Sequence, residues 1–380
     1  MSELARSFAA QKLADLPKEP PQPLPATPED REDEYSSESS LSSTGTVLPS
    51  PSQHLVPAPP VQWTKYFAQE LFLQHKLPSA DEAKYHVYLT QPANLKSPLF
   101  VCHHGAGASG MSFAPFALSL RAALPSAGIL SIEARQHGSS ILNPDGDTVN
   151  DFSIAVLRDD LANMITLVRE RLGWSSLPPI ILVGHSLGGA VAVELAQKGI
   201  LGTSLLGYVV IDVVEGSAIE ALKYMQGILS SRPSSFLTLE SAIDWHLRSR
   251  NLRNRESAAV SVPSLLRRTA DGKWAWATDL AITQPFWEGW FQGMSQKFLS
   301  AKGAKLLILA GTDRLDKDLM IGQMQGKFQL QVVPEAGHFV QEDAPEKTAE
   351  MVVEFFKRND RSALVLPPKV SDLIAQGKKV

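Results

Sequence analysis

The stretch IILVGHSLGGAVAVELAQK, residues 180–198, decides the fold. Four aliphatic residues lead into Gly184, and after Gly188 the apolar residues recur at helical spacing. A G-x-S-x-G sequence between a strand and a helix forms a tight turn that holds the hydroxyl of its serine, here Ser186, above the edge of a sheet. The N–H of Leu187 opens the helix, where the helix dipole favours negative charge. We therefore expect Ser186 to be a nucleophile and the Leu187 N–H to be an oxyanion-hole donor.

Short β-branched runs alternate with helical stretches on both sides of this turn, which predicts an α/β fold with a mostly parallel sheet. A long gap separates the strand ending at Asp212 from the strand starting at Lys305, and we interpret it as an inserted cap over about 217–300. The predicted strands cover residues 85–90, 99–104, 128–133, 180–184, 208–212, 305–310 and 330–333. The predicted helices cover residues 113–124, 156–172, 188–198 and 344–357.

The composition is that of a globular chain. Of its 380 residues 44% are hydrophobic and 20% are charged, and the formal net charge is −4. This balance lacks the positive field that nucleic acids attract, and the apolar runs are too short to cross a bilayer. The single cysteine, Cys102, excludes an intramolecular disulfide and a cysteine-based zinc cluster, which indicates a reducing compartment. We expect neither a nucleic-acid nor a membrane partner, and a cytoplasmic or nuclear location.

The chain divides into three regions by composition. Residues 1–60 are rich in proline and serine and are predicted to be disordered, because such a segment buries too little apolar area to offset the entropy of ordering. Residues 61–359 are predicted to form the globular domain that carries the cap. Residues 360–380 are predicted to form a C-terminal tail.

A serine hydroxyl needs a base to remove its proton and a carboxylate to orient that base. His338 follows the last predicted strand, where this arrangement places its histidine. Two carboxylates end neighbouring strands at the sheet edge where active sites gather, namely Asp313 and Asp212. Spacing and strand position favour Asp313 slightly and leave both candidates open.

The sequence HHGAGAS, residues 103–109, follows the second predicted strand, where a His-Gly run commonly supplies a second oxyanion-hole donor. We expect that donor to be the N–H of Ala106. Residues 105–110 also fit G-x-G-x-x-G, with Glu133 ending the next strand, but a dinucleotide site would leave Ser186 and His338 unexplained. The paired histidines lack a third ligand at metal-site spacing, so no metal site is predicted and both are interpreted as structural.

The predicted cap has a local excess of arginine, in residues 248–255 and 267–268. We interpret these arginines as a solvated helical face, with a dock for an acidic partner as the alternative. The aromatic residues in 274–276 and 286–291 are interpreted as the packing of the cap.

Longer stretches resemble the protein phosphatase methylesterases of the α/β-hydrolase superfamily. GHSLGGA is generic to the superfamily, whereas DVVEG and RLDKDL with IGQMQGKFQ are far more particular. The matching stretches are GHSLGGA (184–190), IDVVEGSA (211–218), MQGILSSRP (225–233), FWEGWFQGMSQKFLS (286–300), LAGTDRLDKDL (309–319), IGQMQGKFQ (321–329) and GHFVQEDAP (337–345).

The resemblance implies an α/β-hydrolase fold and a serine carboxylesterase that needs no metal or organic cofactor. The implied substrate is the methyl-esterified C-terminal leucine of the protein phosphatase 2A catalytic subunit, whose surface would help to shape the site. The family takes its acid from the DVVEG aspartate, so Asp212 replaces Asp313 in the expected triad with Ser186 and His338. Ala106 departs from the family pattern, which has glycine there. The alternatives are a catalytically idle phosphatase-binding protein and another esterase or thioesterase of the same fold.

Overall fold

A mostly parallel sheet runs through the protein, which we describe from a computed structural model over residues 63–311 and 315–360. The predicted disordered segment 1–60, the tail beyond Asp360 and the candidate acid Asp313 lie outside these described residues. The strands are β1 Gln69–Lys76, β2 Glu82–Thr90, β3 Leu99–His103, β4 Gly128–Glu133, β5 Ser140–Leu142, β6 Ile180–His185, β7 Leu205–Ile211, β8 Ser235–Phe236, β9 Leu266–Arg268, β10 Trp274–Trp276, β11 Ala304–Leu309 and β12 Gln329–Val332.

The order of the strands in this sheet is β1-β2-β4-β3-β6-β7-β11-β12, with β5 also paired to β2. Strands β1, β2, β4 and β5 make antiparallel pairs, while every pair from β4 to β12 is parallel. The carboxyl ends of β3, β6, β7 and β11 therefore meet at one edge of the sheet, which is where open α/β sheets hold their ligands.

Helices cover both faces of the sheet. They are α1 Ala114–Ala123, α2 Ile154–Arg171, α3 Leu187–Lys198, α4 Glu215–Ser231, α5 Leu239–Arg248, α6 Arg255–Ser261, α7 Trp287–Phe291, α8 Met294–Ser300, α9 Lys317–Met324, α10 Val340–Asp343 and α11 Pro345–Asn359. Helices α2 and α3 contribute to one core cluster, and α1 and α11 contribute to the other. Successive strand side chains point to opposite faces, so Val101 enters the first core while Phe100 and Cys102 enter the second.

The stretch between β7 and β11 holds the elements that the sequence predicts as a cap. It begins with α4 and ends with α8, and it includes a small antiparallel sheet in the order β8-β10-β9. Its own core is a small cluster that includes Phe236, Ile243 and Val262. We call residues 215–300 the inserted segment.

All seven predicted strands are present, with bounds that differ by up to three residues. The sequence does not predict β1 and β5, nor the short strands β8, β9 and β10 of the inserted segment. Strand β1 is an antiparallel edge strand with a single buried residue, Leu73, so it lacks a continuous apolar run. Within the described part of the chain, no helix combines the length and the apolar character that crossing a bilayer requires.

Candidate active site

Ser186 lies at the turn between β6 and α3, as the sequence predicts. Its backbone has φ 52° and ψ −121°, a conformation that costs a residue with a side chain about 1–3 kcal/mol. The Ser186 N–H donates to the carbonyl of Ile211 at 3.0 Å, and the Ser186 carbonyl accepts the Gly189 N–H at 2.8 Å. The neighbouring strand and the first turn of the helix therefore hold the strained turn in place.

Two glycines allow the loop after β3 to lie against this turn. A Cβ atom on Gly188 would lie 2.1 Å from the carbonyl oxygen of His103, closer than any side chain permits. A Cβ atom on Gly105 would lie 3.0 Å from the Cβ of Ser186. The loop that carries Ala106 thus packs directly on the serine turn.

Asp212 and His338 are hydrogen-bonded to each other. The Nδ1–H of His338 donates to Oδ2 of Asp212 at 2.8 Å, and the other carboxylate oxygen accepts the Ala310 N–H at 2.9 Å. The Asp212 side chain is fully buried, whereas the His338 side chain is 45% exposed. With the proton fixed on Nδ1, the Nε2 atom of His338 carries the lone pair that can accept a proton.

Asp212 resembles Ser186 in its backbone. It follows β7 with a positive φ of 49°, and its N–H donates to the carbonyl of Ile308 at 2.8 Å. Ser186 and Asp212 therefore occupy equivalent places at the ends of adjacent strands, each bound to the next strand of the sheet.

His185 connects the His338 loop to the serine turn. Its Nε2–H donates to the carbonyl of His338 at 2.9 Å, and the two ring centres lie 4.7 Å apart. Burial lowers the pKa of His185 to about 3, so this ring is neutral at physiological pH and places no second positive charge beside His338. His185 is not recognisable from sequence as a site residue, because it occupies the unspecified second position of G-x-S-x-G.

Asp343 of α10 and Arg253 of the inserted segment also hold the same loop. Oδ2 of Asp343 accepts the Gly337 N–H at 2.7 Å, and Oδ1 accepts the Arg253 N–H at 2.7 Å. The Arg253 guanidinium donates in turn to the carbonyl of Glu335 at 2.6 Å. Arg253 is not recognisable from sequence as part of the site, since it lies 82 residues before the loop residue that it contacts.

The two predicted oxyanion-hole donors are available. Neither the Ala106 N–H nor the Leu187 N–H donates a hydrogen bond to any described residue. The residues beyond Ala106 are fixed, since the Gly107 N–H donates to Nε2 of His137 at 2.9 Å and the Gly110 N–H donates to Glu133 at 2.9 Å. Donors that need no reorganisation stabilise developing negative charge most effectively.

Glu133, His103 and His104 support this loop. Glu133 is buried and receives the Gly110 N–H, so the chain itself occupies the carboxylate that a dinucleotide site would use. Nδ1–H of His103 donates to the His104 carbonyl at 2.8 Å, and Nδ1–H of His104 donates to the Gly105 carbonyl at 2.8 Å. Both rings are buried, in keeping with their structural interpretation. Among the described residues, no group of three His, Cys, Asp or Glu side chains could hold a metal ion.

Comparison with known proteins gives the family. Residues 100–351 match the model of the α/β hydrolase family. Protein phosphatase methylesterase 1 of Aspergillus oryzae is 54% identical, with 99% of this chain and 94% of that protein aligned. The protein of the same name from Neurospora crassa is 48% identical, with both chains aligned over 100% of their lengths. The chain belongs to the protein phosphatase methylesterase family.

Solved structures place this methylesterase-family chain among the α/β hydrolases by fold. E-2-(acetamidomethylene)succinate hydrolase has a TM-score of 0.59 at 19% identity, over 76% of this chain and 100% of that one. The thioesterase domain from the curacin biosynthetic pathway has a TM-score of 0.53 at 19% identity, over 75% and 98% of the two chains. The predicted fold class is confirmed, and the family membership makes the protein a carboxylic-ester hydrolase.

Proposed function

We propose that this protein removes the methyl ester from the C-terminal leucine of the protein phosphatase 2A catalytic subunit. The observation that carries the proposal is the buried Asp212 carboxylate bound to His338, one strand away from the strained turn at Ser186. Full-length relatives that are named for phosphatase methylesterase activity support the substrate class. The 2A catalytic subunit itself comes from the family resemblance.

In the proposed mechanism, Nε2 of His338 takes the proton of Ser186 as its Oγ attacks the ester carbonyl. The N–H groups of Ala106 and Leu187 donate to the oxyanion of the tetrahedral intermediate, and each such donor is worth about 2.7–4 kcal/mol. Asp212 keeps the proton on Nδ1 and stabilises the imidazolium cation. The C–O bond to the methoxy group then breaks, and His338 gives its proton to the departing oxygen, which releases methanol.

Water completes the reaction. His338 removes a proton from a water molecule as the water attacks the acyl-enzyme, and the proton returns to Oγ of Ser186 as the carboxylic acid leaves. The net reaction converts one ester and one water into one carboxylate, one methanol and one proton. His185 is neutral, so the positive charge that forms on His338 meets no like charge from that ring.

The direct test is to incubate the protein with methylated phosphatase 2A and to measure the mass of its C-terminal peptide. We expect the loss of one methyl ester with the wild type and none with Ser186→Ala. Hydrolysis of simple esters without loss of this methyl group would favour another esterase or thioesterase. If a fluorophosphonate probe labels neither the folded protein nor its complex with the phosphatase, the protein is a binding module rather than an enzyme.

A further inference from the structure

A cleft of about 650 Å³ opens in the inserted segment. The end of α4, the strands β9 and β10 and the turn-rich stretch 277–287 form its walls. Half of the lining residues are apolar or aromatic, and two arginines are the only cations that the described residues contribute to the wall. The residues used below are Arg232, Arg267, Trp276, Asp279 and Leu280.

The cleft adjoins the oxyanion loop. Leu280, in its wall, lies so close to the loop that a Cβ atom on Gly107 would be 2.6 Å from Cδ1 of the leucine. The hydroxyl of Thr278, also in the wall, donates to the carbonyl of Gln136 at 2.8 Å. This bond joins the inserted segment to the turn that follows β4. Gly107 directly follows Ala106. A peptide whose ester carbonyl accepts the Ala106 N–H therefore has this cleft beside its preceding residues.

Arg232 is held in the cleft as a cation whose guanidinium N–H donors bind no acceptor among the described residues. Its guanidinium carbon lies 3.5 Å from the centre of the Trp276 ring, and the indole N–H donates to the carbonyl of Pro233 at 2.7 Å, which fixes the ring. Burial lowers the pKa of Arg232 to about 10, so the side chain stays charged at neutral pH. A guanidinium stacked on a ring keeps its N–H groups at its edge, where they can bind a carboxylate.

The described residues do not supply that carboxylate. Within residues 63–311 and 315–360, neither Arg232 nor Arg267 forms an ion pair. The carboxylate of the wall, Asp279, accepts the Ala281 N–H at 2.9 Å at the start of the following turn. The cleft thus carries two cations against one anion, and the site as a whole is complementary to negative charge.

We propose that the cleft selects substrates with an acidic residue upstream of the esterified C-terminus. Arg232 and Arg267 pair with that carboxylate, and Leu280 guides the peptide from the oxyanion loop into the cleft. The inference rests on the proposed function, since that function makes the acyl part of the ester substrate a peptide. It makes the cleft a specificity determinant of the reaction and leaves the catalytic groups unchanged.

The kinetic test uses short peptide methyl esters that differ only by Asp, Asn or Lys at each upstream position. We expect the wild type to prefer the Asp peptide at one position by about 10-fold in kcat/KM, the worth of a charged hydrogen bond. Arg267→Glu should reverse that preference in favour of Lys. Arg268→Glu is the matched control, because Arg268 is the next residue on β9 and does not line the cleft.

Binding gives a readout that does not depend on turnover. The same peptides, fluorescently labelled, are titrated with the full-length Ser186→Ala protein and with Ser186→Ala carrying Arg267→Glu or Arg268→Glu. The proposal requires the Ser186→Ala protein to bind the Asp peptide more tightly than the Asn and Lys peptides. This preference should be lost when Arg267→Glu is added and kept when Arg268→Glu is added. Equal affinities for the Asp, Asn and Lys peptides would overturn it, as would equal effects of the two arginine variants.

The two proposals fail in distinguishable ways. If the wild type hydrolyses none of the peptide esters and leaves methylated phosphatase intact, the proposed function fails, and the binding assay still decides the role of the cleft. If it hydrolyses the Asp, Asn and Lys peptides at the same rate, only the role of the cleft fails.

Discussion

Strands β3, β4 and β6 are buried along their whole length, whereas helix α4 of the inserted segment has no buried residue. Helix α4 also exposes Ile219, Tyr224 and Ile228 to solvent. The sheet carries Ser186 and Asp212 on strained backbone that neighbouring strands hold. The inserted segment meets the loops beside those residues through Arg253 and Leu280, and its helices α7 and α8 pack on the core of the sheet. Exposed apolar surface of this kind is typical of regions that meet other molecules.

This difference separates two tasks. The proposed reacting groups Ser186 and Asp212 stand at the ends of buried strands, where a shift of about 1 Å would be costly to the rate. The cleft and the exposed helix stand on the inserted segment, where substitutions away from Arg253 should leave the arrangement of Ser186, Asp212 and His338 unchanged. The proposed catalytic groups and the proposed specificity cleft thus lie in different regions, and mutations in the two regions should have different signatures.

The largest effect should come from Asp212→Asn in the sheet. The variant loses the charge that fixes the tautomer of His338, so we expect kcat to fall by roughly 10⁴-fold, as in the best-studied serine triad. Its circular dichroism spectrum should match that of the wild type, because asparagine retains an oxygen for the Ala310 N–H. Asp313→Asn is the control and should change kcat by less than about 10-fold. The opposite result would make Asp313 the acid.

A pair of glycine substitutions compares the two regions directly. Gly188→Ala places a methyl group 2.1 Å from the backbone oxygen of His103 and should destabilise the protein by about 3 kcal/mol or more. Gly227→Ala in α4 meets no atom within 4 Å and should stabilise it by about 0.5–1 kcal/mol. Urea denaturation measures both values. Equal midpoints for the two variants would contradict the contrast between sheet and inserted segment.

The link between the regions can be broken at Arg253. Arg253→Ala removes the guanidinium bond to the Glu335 carbonyl, which we expect to loosen the His338 loop and to lower kcat by about 10–100-fold with little change in KM. Arg253→Lys can still donate to that carbonyl and should restore part of the rate. Arg255→Ala is the matched control, because Arg255 pairs with Glu240 and Asp244 inside the inserted segment. If Arg253→Ala changes only stability, Arg253 does not position His338.

The remaining prediction concerns pH, at a buried contact between the regions. The hydroxyl of Ser261 in α6 donates to Glu342 in α10, and burial, together with the nearby charge of Asp343, raises the pKa of Glu342 to about 8. A carboxyl group whose pKa is raised in the folded state stabilises the protein below its unfolded pKa and loses that contribution as the pH rises through its folded pKa.

The wild type should therefore lose stability between about pH 5 and pH 8 relative to Glu342→Gln. Urea denaturation of both proteins across this range measures the difference, and the comparison cancels the titration of all other groups. Parallel pH profiles would show that Glu342 has an ordinary pKa.

The sequence predicted the centre of the sheet because its strands are continuous apolar runs, and it missed β1 because an edge strand shares its surface with solvent. The serine turn and His338 follow from local sequence. The acid does not, since Asp212 and Asp313 both end strands at the same edge, and only the family resemblance favoured Asp212, which the structure bonds to His338. Arg253 stood in a basic run interpreted as a solvated face, because sequence gives no sign of a contact 82 residues away. The cytoplasmic or nuclear location stays a prediction.

The hydrogen bond from Ser186 to Ile211 joins the end of β6 to β7, and the bond from Asp212 to Ile308 joins the end of β7 to β11. A slip of one residue between two of these strands would displace nucleophile and acid by about 3.3 Å along the strand axis. A misregistered intermediate would therefore be inert, even with all its secondary structure formed. The rate at which esterase activity returns after dilution from denaturant therefore reports how fast β6, β7 and β11 reach their native register.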